Sequence, residues 1–186
     1  MLKVMRTAYI ALGSNLAGEA GSPEETLTKA VQRLESLGRM VGRSSLYSTA
    51  PVGFDHQPRF VNAVVALETA LAPRALLTAL LDLEDEFGRL RNPDEPKGPR
   101  TLDLDLLLLG DLRRIEPGLE LPHPRMAERL FVLEPLAEIA PRQIIPMTGG
   151  VSVAELRDQL HADKNLKPDA VVRLASDLWE SLEAVC

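Results

Sequence analysis

Asp103 and Asp105 stand two residues apart inside an apolar run, Leu102-Asp103-Leu104-Asp105-Leu106-Leu107-Leu108-Leu109. Read as a strand, the run puts both acids on one face, roughly 6.5–7 Å apart along the chain. Paired carboxylates repel, and burial makes each more costly, so a compensating positive charge is expected. Arg100 is one candidate. A divalent cation is the better one, because hard oxygen ligands suit Mg²⁺, which is commonly held by one or two carboxylates plus substrate phosphates. The plainer alternative leaves both acids facing solvent on a half-exposed strand, with Leu102, Leu104 and Leu106 as the buried set. Against it, Leu107 to Leu109 break the alternation and read as buried on both faces. The acids then stand at the head of the strand, where a cleft can lie.

Cations cluster around this stretch. The segment Arg89-Leu90-Arg91-Asn92-Pro93-Asp94-Glu95-Pro96-Lys97 runs straight into Gly98-Pro99-Arg100. It brings Arg89, Arg91, Lys97 and Arg100 toward the acids, although charged loops are often merely solvated. The sequence has no G-x-x-x-x-G-K-[ST] loop and no G-x-G-x-x-G, so phosphate binding would fall to side chains and metal. Arg89, Arg91, Arg100 and Arg129 suit it, since guanidinium groups make bidentate contacts with anionic oxygens. His123 is either a further donor or the residue that fixes the Pro122–Pro124 bend. Asn62, an amide among apolar neighbours, either bonds the backbone or reads a ligand.

The elements that position these residues follow from periodicity. Thr7–Leu12 is a strand ending in the turn Gly13-Ser14-Asn15. Ser22-Pro23-Glu24-Glu25 opens a helix running to about Leu37. Met40–Ser48 reads as one strand, Thr49–Pro58 as a proline-braced loop, and Phe60–Thr69 as the next strand. Pro73 opens a helix that Gly88 stops. After the acidic strand come short helical pieces over 125–129 and 131–139, an edge strand over Gln143–Pro146 and a hinge at Gly149-Gly150. Ser152 then caps a helix to about Leu160. Pro168 opens a last helix, with Val171, Val172, Leu174, Ala175, Leu178 and Leu182 at helical spacing and Trp179 packing it down. The order strand, helix, strand, strand, helix, strand predicts an α+β fold. Its core is a ferredoxin-like βαββαβ unit, an antiparallel sheet with helices on its faces, plus a C-terminal helical extension. Residues 1–150 form the expected catalytic domain, with 151–186 packed on it or at a subunit contact.

Composition narrows the classes. The chain has 186 residues, 45% of them hydrophobic, and a net charge of −6, which suits one ordinary globular domain and argues against general nucleic-acid binding. A single cysteine, Cys186, permits no disulfide framework and fits a reducing cytoplasm. The N-terminal residues lack a signal-like apolar run, and no stretch reaches membrane-span length. Monomer or weak homodimer is expected, with no nucleic-acid or membrane partner.

Six segments carry a resemblance. They are Tyr9–Asn15 (YIALGSN), Tyr47–Gly53 (YSTAPVG), Gln57–Ala63 (QPRFVNA), Glu84–Arg91 (EDEFGRLR), Gly98–Asp105 (GPRTLDLD) and Leu121–Leu133 (LPHPRMAERLFVL). In this order and spacing, over roughly Thr7 to Pro146, the chain resembles the 6-hydroxymethyl-7,8-dihydropterin pyrophosphokinases of folate biosynthesis. The resemblance implies transfer of the β,γ-pyrophosphate of ATP to the pterin hydroxymethyl group, leaving AMP. It implies two Mg²⁺ ions on Asp103 and Asp105, with Arg89 and Arg100 also catalytic. Glu84, Arg91, Arg100, Leu106, His123 and Arg129 would bind ATP, and Thr49, Ala50, Val52, Phe60, Asn62 and Phe131 the pterin. Many members carry an aromatic residue where Pro96-Lys97 stands here, a proline at Ala50 and a tyrosine at Phe60. The Arg89–Lys97 loop is expected to act as a lid that orders on ATP binding. Two rival readings compete: another small kinase or nucleotidyl transferase with paired aspartates, and a ferredoxin-like regulatory module without turnover.

Overall fold

The computed structural model describes residues 4–51, 57–91, 98–146, 148–163 and 171–182. In chain order the elements are β1 (Arg6–Ser14), α1 (Pro23–Leu34), β2 (Arg39–Arg43), β3 (Leu46–Thr49), β4 (Phe60–Thr69), α2 (Pro73–Glu86) and β5 (Asp103–Leu109). They continue with β6 (Arg114–Glu116), β7 (Leu119–Leu121), α3 (Leu130–Ile139), α4 (Val153–His161), β8 (Val171–Leu174) and α5 (Asp177–Glu180). The main sheet is ordered β5-β1-β4-β3-β8, with β2 also on β4, and its paired strands are antiparallel. The first four strands of that order are the ferredoxin-like core expected from the sequence. Among the described residues no helix is long and apolar enough to cross a membrane.

Period-2 alternation divides the sheet between two cores. Ala8, Ile10 and Leu12 of β1, Ala63, Val65 and Leu67 of β4, and Leu104 and Leu106 of β5 pack with Leu27, Leu34, Leu76 and Leu80 of α1 and α2. The opposite face offers Val64 and Leu107 to Val132, Leu133 and Leu136 of α3 and to Val153 of α4. Toward one end of the sheet this second face changes character: its residues become Gly13, Asn62, Asp103 and Asp105. Gly13 pairs with Asn62 on one side and with Asp103 on the other. Local signals hold the frame: Ser22 and Glu25 close a capping box on α1, as Ser152 and Glu155 do on α4, which stabilises helix starts by about 1 kcal/mol each.

Three expectations change. The strand read over Met40–Ser48 is two strands, because Ser44 leaves the ladder. Its N–H donates to Val64 O at 2.9 Å and its Oγ accepts from Val64 N–H at 3.0 Å. The last helix is not one: Val171–Leu174 is a strand paired along β3, and only Asp177–Glu180 is helical. An open sheet edge and β-branched Val171 and Val172 outweigh an apolar spacing that fits both periods. The Gln143–Pro146 strand is reduced to a single bridge, Ile144 to Ser152. The sequence reading also missed the β6–β7 hairpin, although Pro117-Gly118 marks its turn and Gly118 has φ of 72°. Pro168 and Cys186 lie outside the described residues.

Candidate active site

The polar end of the second face opens into a cavity of about 410 Å³. Thr49 and Ala50 bound it from the end of β3, Phe60 and Asn62 from β4, and Phe131 from the start of α3. Arg89, Arg100, Asp103, Asp105 and Arg129 contribute to the wall. A second groove of about 410 Å³ lies on the other side of the acids, lined by Glu84, Arg91, Leu106 and His123 and again by Arg89, Asp103 and Asp105. Thus the two spaces share Arg89, Asp103 and Asp105. Val52 and residues 92–97, with Pro96-Lys97 and most of the expected lid, lie outside the described residues.

Each side chain is set by its neighbours. Beyond the end of helix α2, Gly88, with φ of 75°, turns the chain so that Arg89 N–H donates back to Glu84 O at 3.0 Å. The Arg89 guanidinium then bridges the Glu84 and Asp103 carboxylates. Glu84, with a side chain only 2% exposed, also pairs with Arg91 and accepts the Leu104 N–H at 2.6 Å. Burial nonetheless pushes its carboxyl up to about 7. The same burial would weaken the Arg89 cation, but Asp103 and Glu84 outweigh it and hold the guanidinium more firmly protonated. Arg100 Nε lies 3.1 Å from Asp103 Oδ2 without hydrogen-bond alignment, and its guanidinium stacks 5.1 Å from the Phe60 ring centre. Arg129 sits likewise 5.4 Å from the Phe131 ring. Each aromatic wall therefore carries a cation, a favourable pairing.

Asp105 is the less satisfied acid. Its nearest basic neighbours, Arg129 Nη1 and His123 Nε2, stand at 3.8 and 3.9 Å, beyond hydrogen-bond reach. Burial and the adjacent Asp103 raise its pKa, while burial lowers that of His123. Among the described residues no group of three or more His, Cys, Asp or Glu could hold a metal ion. His123 shapes the bend, its Nδ1 accepting the Arg125 N–H at 3.2 Å, while Nε2 lies 3.9 Å from Asp105. Asn62 bonds a side chain, its Nδ2 donating to Thr49 Oγ1 at 2.7 Å.

Several contributors went unread in the sequence. Asn15 Oδ1 accepts the Arg100 N–H at 2.9 Å, and its Nδ2 donates to Gln57 Oε1 and Pro58 O, both at 3.1 Å. It ties the arginine to the segment entering β4, a role that the turn signal Gly-Ser-Asn did not suggest. Gly13 is required by space: a Cβ there would lie 2.9 Å from Asn62 Oδ1. Gln57, Arg125 and Glu128 also line the first cavity.

A polar cleft with two lobes, joined at paired acids and walled by arginines, suits transfer of a group from an anionic donor. Comparison with known proteins gives the particular class. The family model described as 7,8-dihydro-6-hydroxymethylpterin-pyrophosphokinase (HPPK) matches residues 9–141. The 2-amino-4-hydroxy-6-hydroxymethyldihydropteridine pyrophosphokinase of Pseudomonas aeruginosa is 48% identical, over 77% of this chain and 86% of that protein. Proteins of the same name from Bacillus subtilis and Haemophilus influenzae are 46% and 41% identical, over 71% and 88% of this chain and 77% and 98% of theirs. The wild-type Plasmodium falciparum HPPK-DHPS crystal structure shares the fold, with a TM-score of 0.68 at 14% identity over 91% of this chain, which spans 48% of that longer one. The chain belongs to the 7,8-dihydro-6-hydroxymethylpterin-pyrophosphokinase family. It is a pyrophosphokinase of folate biosynthesis, transferring a pyrophosphoryl group to hydroxymethyldihydropterin.

Proposed function

We propose that ATP is the donor, that Mg²⁺ ions accompany it, and that the two lobes divide the substrates. The pterin occupies the cavity of Thr49, Ala50, Phe60, Asn62 and Phe131; Val52 joins this set by resemblance alone. A flat heterocycle fits beside Phe131 and Phe60, and Asn62 supplies amide hydrogen bonds. The nucleotide occupies the groove of Leu106, His123, Arg91 and Glu84. Sharing of Arg89, Asp103 and Asp105 by both lobes is the observation that carries this reading, because it sets the donor's phosphates against the acceptor hydroxyl.

The acids fit a hard cation. Asp105 is partly buried beside Asp103, with Arg129 and His123 beyond bonding reach. With only two acids at this point, the remaining coordination falls to phosphate and water oxygens, as is usual for Mg²⁺ at nucleotide sites. When bound, the ions supply charge neutralisation on the phosphates and polarisation of the acceptor hydroxyl. The chain supplies the rest. Arg89 and Arg100 take up charge on the transferring group, with Arg129 and His123 on the remaining phosphate oxygens. Asn62 and Phe131 hold the pterin so that its hydroxymethyl oxygen meets the β-phosphorus. That oxygen bonds to the β-phosphorus, the bond from it to the α,β-bridging oxygen breaks, AMP leaves, and the hydroxyl proton passes to solvent. Residues 1–150 carry the chemistry, and 151–186 extend the same domain. The protein works in the cytoplasm as a monomer or weak homodimer, with no nucleic-acid or membrane partner.

The test is AMP release from ATP and Mg²⁺ with and without 6-hydroxymethyl-7,8-dihydropterin. Pterin-dependent AMP is expected. ADP in its place, or turnover unchanged by removal of the divalent ion, overturns the proposal.

A further inference from the structure

The C-terminal segment forms a clasp that reaches the wall of the pterin lobe. Strand β3 is only four residues long, and Thr49, at its end, lines the first cavity. On one edge β3 pairs with β4 at Tyr47, Ser48 and Thr49; on the other it pairs with β8 at all four positions, Leu46 to Leu174 through Thr49 to Val171. Without β8, β3 would be a short edge strand, with that row of backbone groups unpaired.

Strand β8 buries little of its own surface: its four residues are half-buried or exposed, Val172 at 44%. Its anchor follows it in sequence. Trp179 is 3% exposed and packs in the α1–α2 core. Its indole Nε1–H donates to Ser44 O at 2.8 Å, at the break where β2 gives way to β3. Arg43 lies 5.0 Å from the indole centre. It donates to Trp179 O at 2.7 Å and to Leu182 O at 3.2 Å. Ser176 caps the short helix through Trp179 N–H and bonds Glu24 of α1. The anchor therefore grips the start of β3, while β8 runs to its end.

We propose that Trp179 is a positioning residue for the pterin: by holding β8 on β3 it fixes Thr49, and through Thr49 the Asn62 amide. The inference rests on the pterin lobe assigned above. Release of the clasp then raises the KM for the pterin and leaves nucleotide binding intact, since the nucleotide groove draws nothing from β3 or β8. Linkage requires the converse as well: bound pterin must tighten the clasp.

The test uses the full chain, whose single tryptophan is its own probe. Trp179→Ala should raise the pterin KM about tenfold with the ATP KM and kcat within twofold, and Trp179→Phe should restore most of the loss. In the wild type, exchange of the Trp179 indole N–H, followed by NMR, should slow several-fold with pterin and stay unchanged with the nucleotide alone. That measurement stands even where Trp179→Ala fails to fold. Exchange indifferent to pterin, or an equal rise in both KM values, overturns the clasp. Asn62→Ala, run alongside, separates the two ideas. Retained pterin affinity there overturns the lobe assignment and the clasp with it. Lost affinity there, with Trp179→Ala unchanged, overturns the clasp alone.

Discussion

Replacing Glu84 with glutamine should change how stability depends on pH, in a direction opposite to that of most carboxylates. The Glu84 carboxyl is raised from 4.5 to about 7, burial being the largest cause. Because its folded pKa lies above its unfolded one, Glu84 favours the folded state fully below pH 4.5, and that contribution is lost as pH rises through 7. At 1.36 kcal/mol per pKa unit, the contribution falls by about 2–3 kcal/mol between pH 5 and 8. Glutamine cannot ionise, yet its carbonyl can still accept the Leu104 N–H that Glu84 takes at 2.6 Å. Urea unfolding of both proteins at pH 5, 6, 7 and 8 gives the wild-type advantage over Glu84→Gln at each pH. Titration of unrelated groups cancels in that difference. The advantage should shrink by about 2–3 kcal/mol from pH 5 to 8. A flat difference would mean that Glu84 is neutral throughout or charged throughout. A difference that grows with pH would mean that Arg89 and Arg91 dominate burial, and the electrostatic account of the site would fail.

Three further outcomes follow from geometry. Gly13→Ala should raise the pterin KM about tenfold and cost about 1–2 kcal/mol in urea unfolding, because the new Cβ would press on Asn62 Oδ1 from 2.9 Å; kinetics with an unmoved KM would show that Asn62 gives way harmlessly. Asn15→Ala frees the Arg100 N–H and releases Gln57 and Pro58, so kcat should fall roughly 10–100-fold, measured as AMP release. Asp105→Asn should lower turnover by more than about a hundredfold while the melting temperature stays level or rises, since it removes a charge that burial and Asp103 disfavour. A lower melting temperature would contradict that.

How much was legible depended on whether the signal was local. Leu102–Leu109 announced itself: two acids among leucines break an apolar run only where a strand leaves its cover, and Asp103 and Asp105 do stand at that boundary. Helices α1 and α4 were marked by their capping serines. Gly13 and Asn15 could not be read this way. Their value comes from partners far along the chain, Asn62 and Arg100, which only the sheet brings near. Residues 171–174 misled because four apolar-rich positions fit either period, and the open edge of β3 decided between them. Glu84 was legible as a ligand candidate through resemblance alone. That it organises Arg89, Arg91 and the Leu104 amide depends on the turn at Gly88.

The position of Gly13 between Asn62 and Asp103 makes the sheet a ruler. Neighbouring strands lie about 4.8 Å apart, so the backbones bearing Asn62 and Asp103 are held roughly 10 Å apart, two strand spacings. That span runs across the strands, between the residue assigned to the acceptor and a residue assigned to the metal ions. The separation between those two residues is thus written into backbone hydrogen bonds. Loops can open and close around the substrates without changing it. A slip of one residue in either ladder would turn one of the two groups to the opposite face, so that folding in the wrong register and loss of chemistry are the same event.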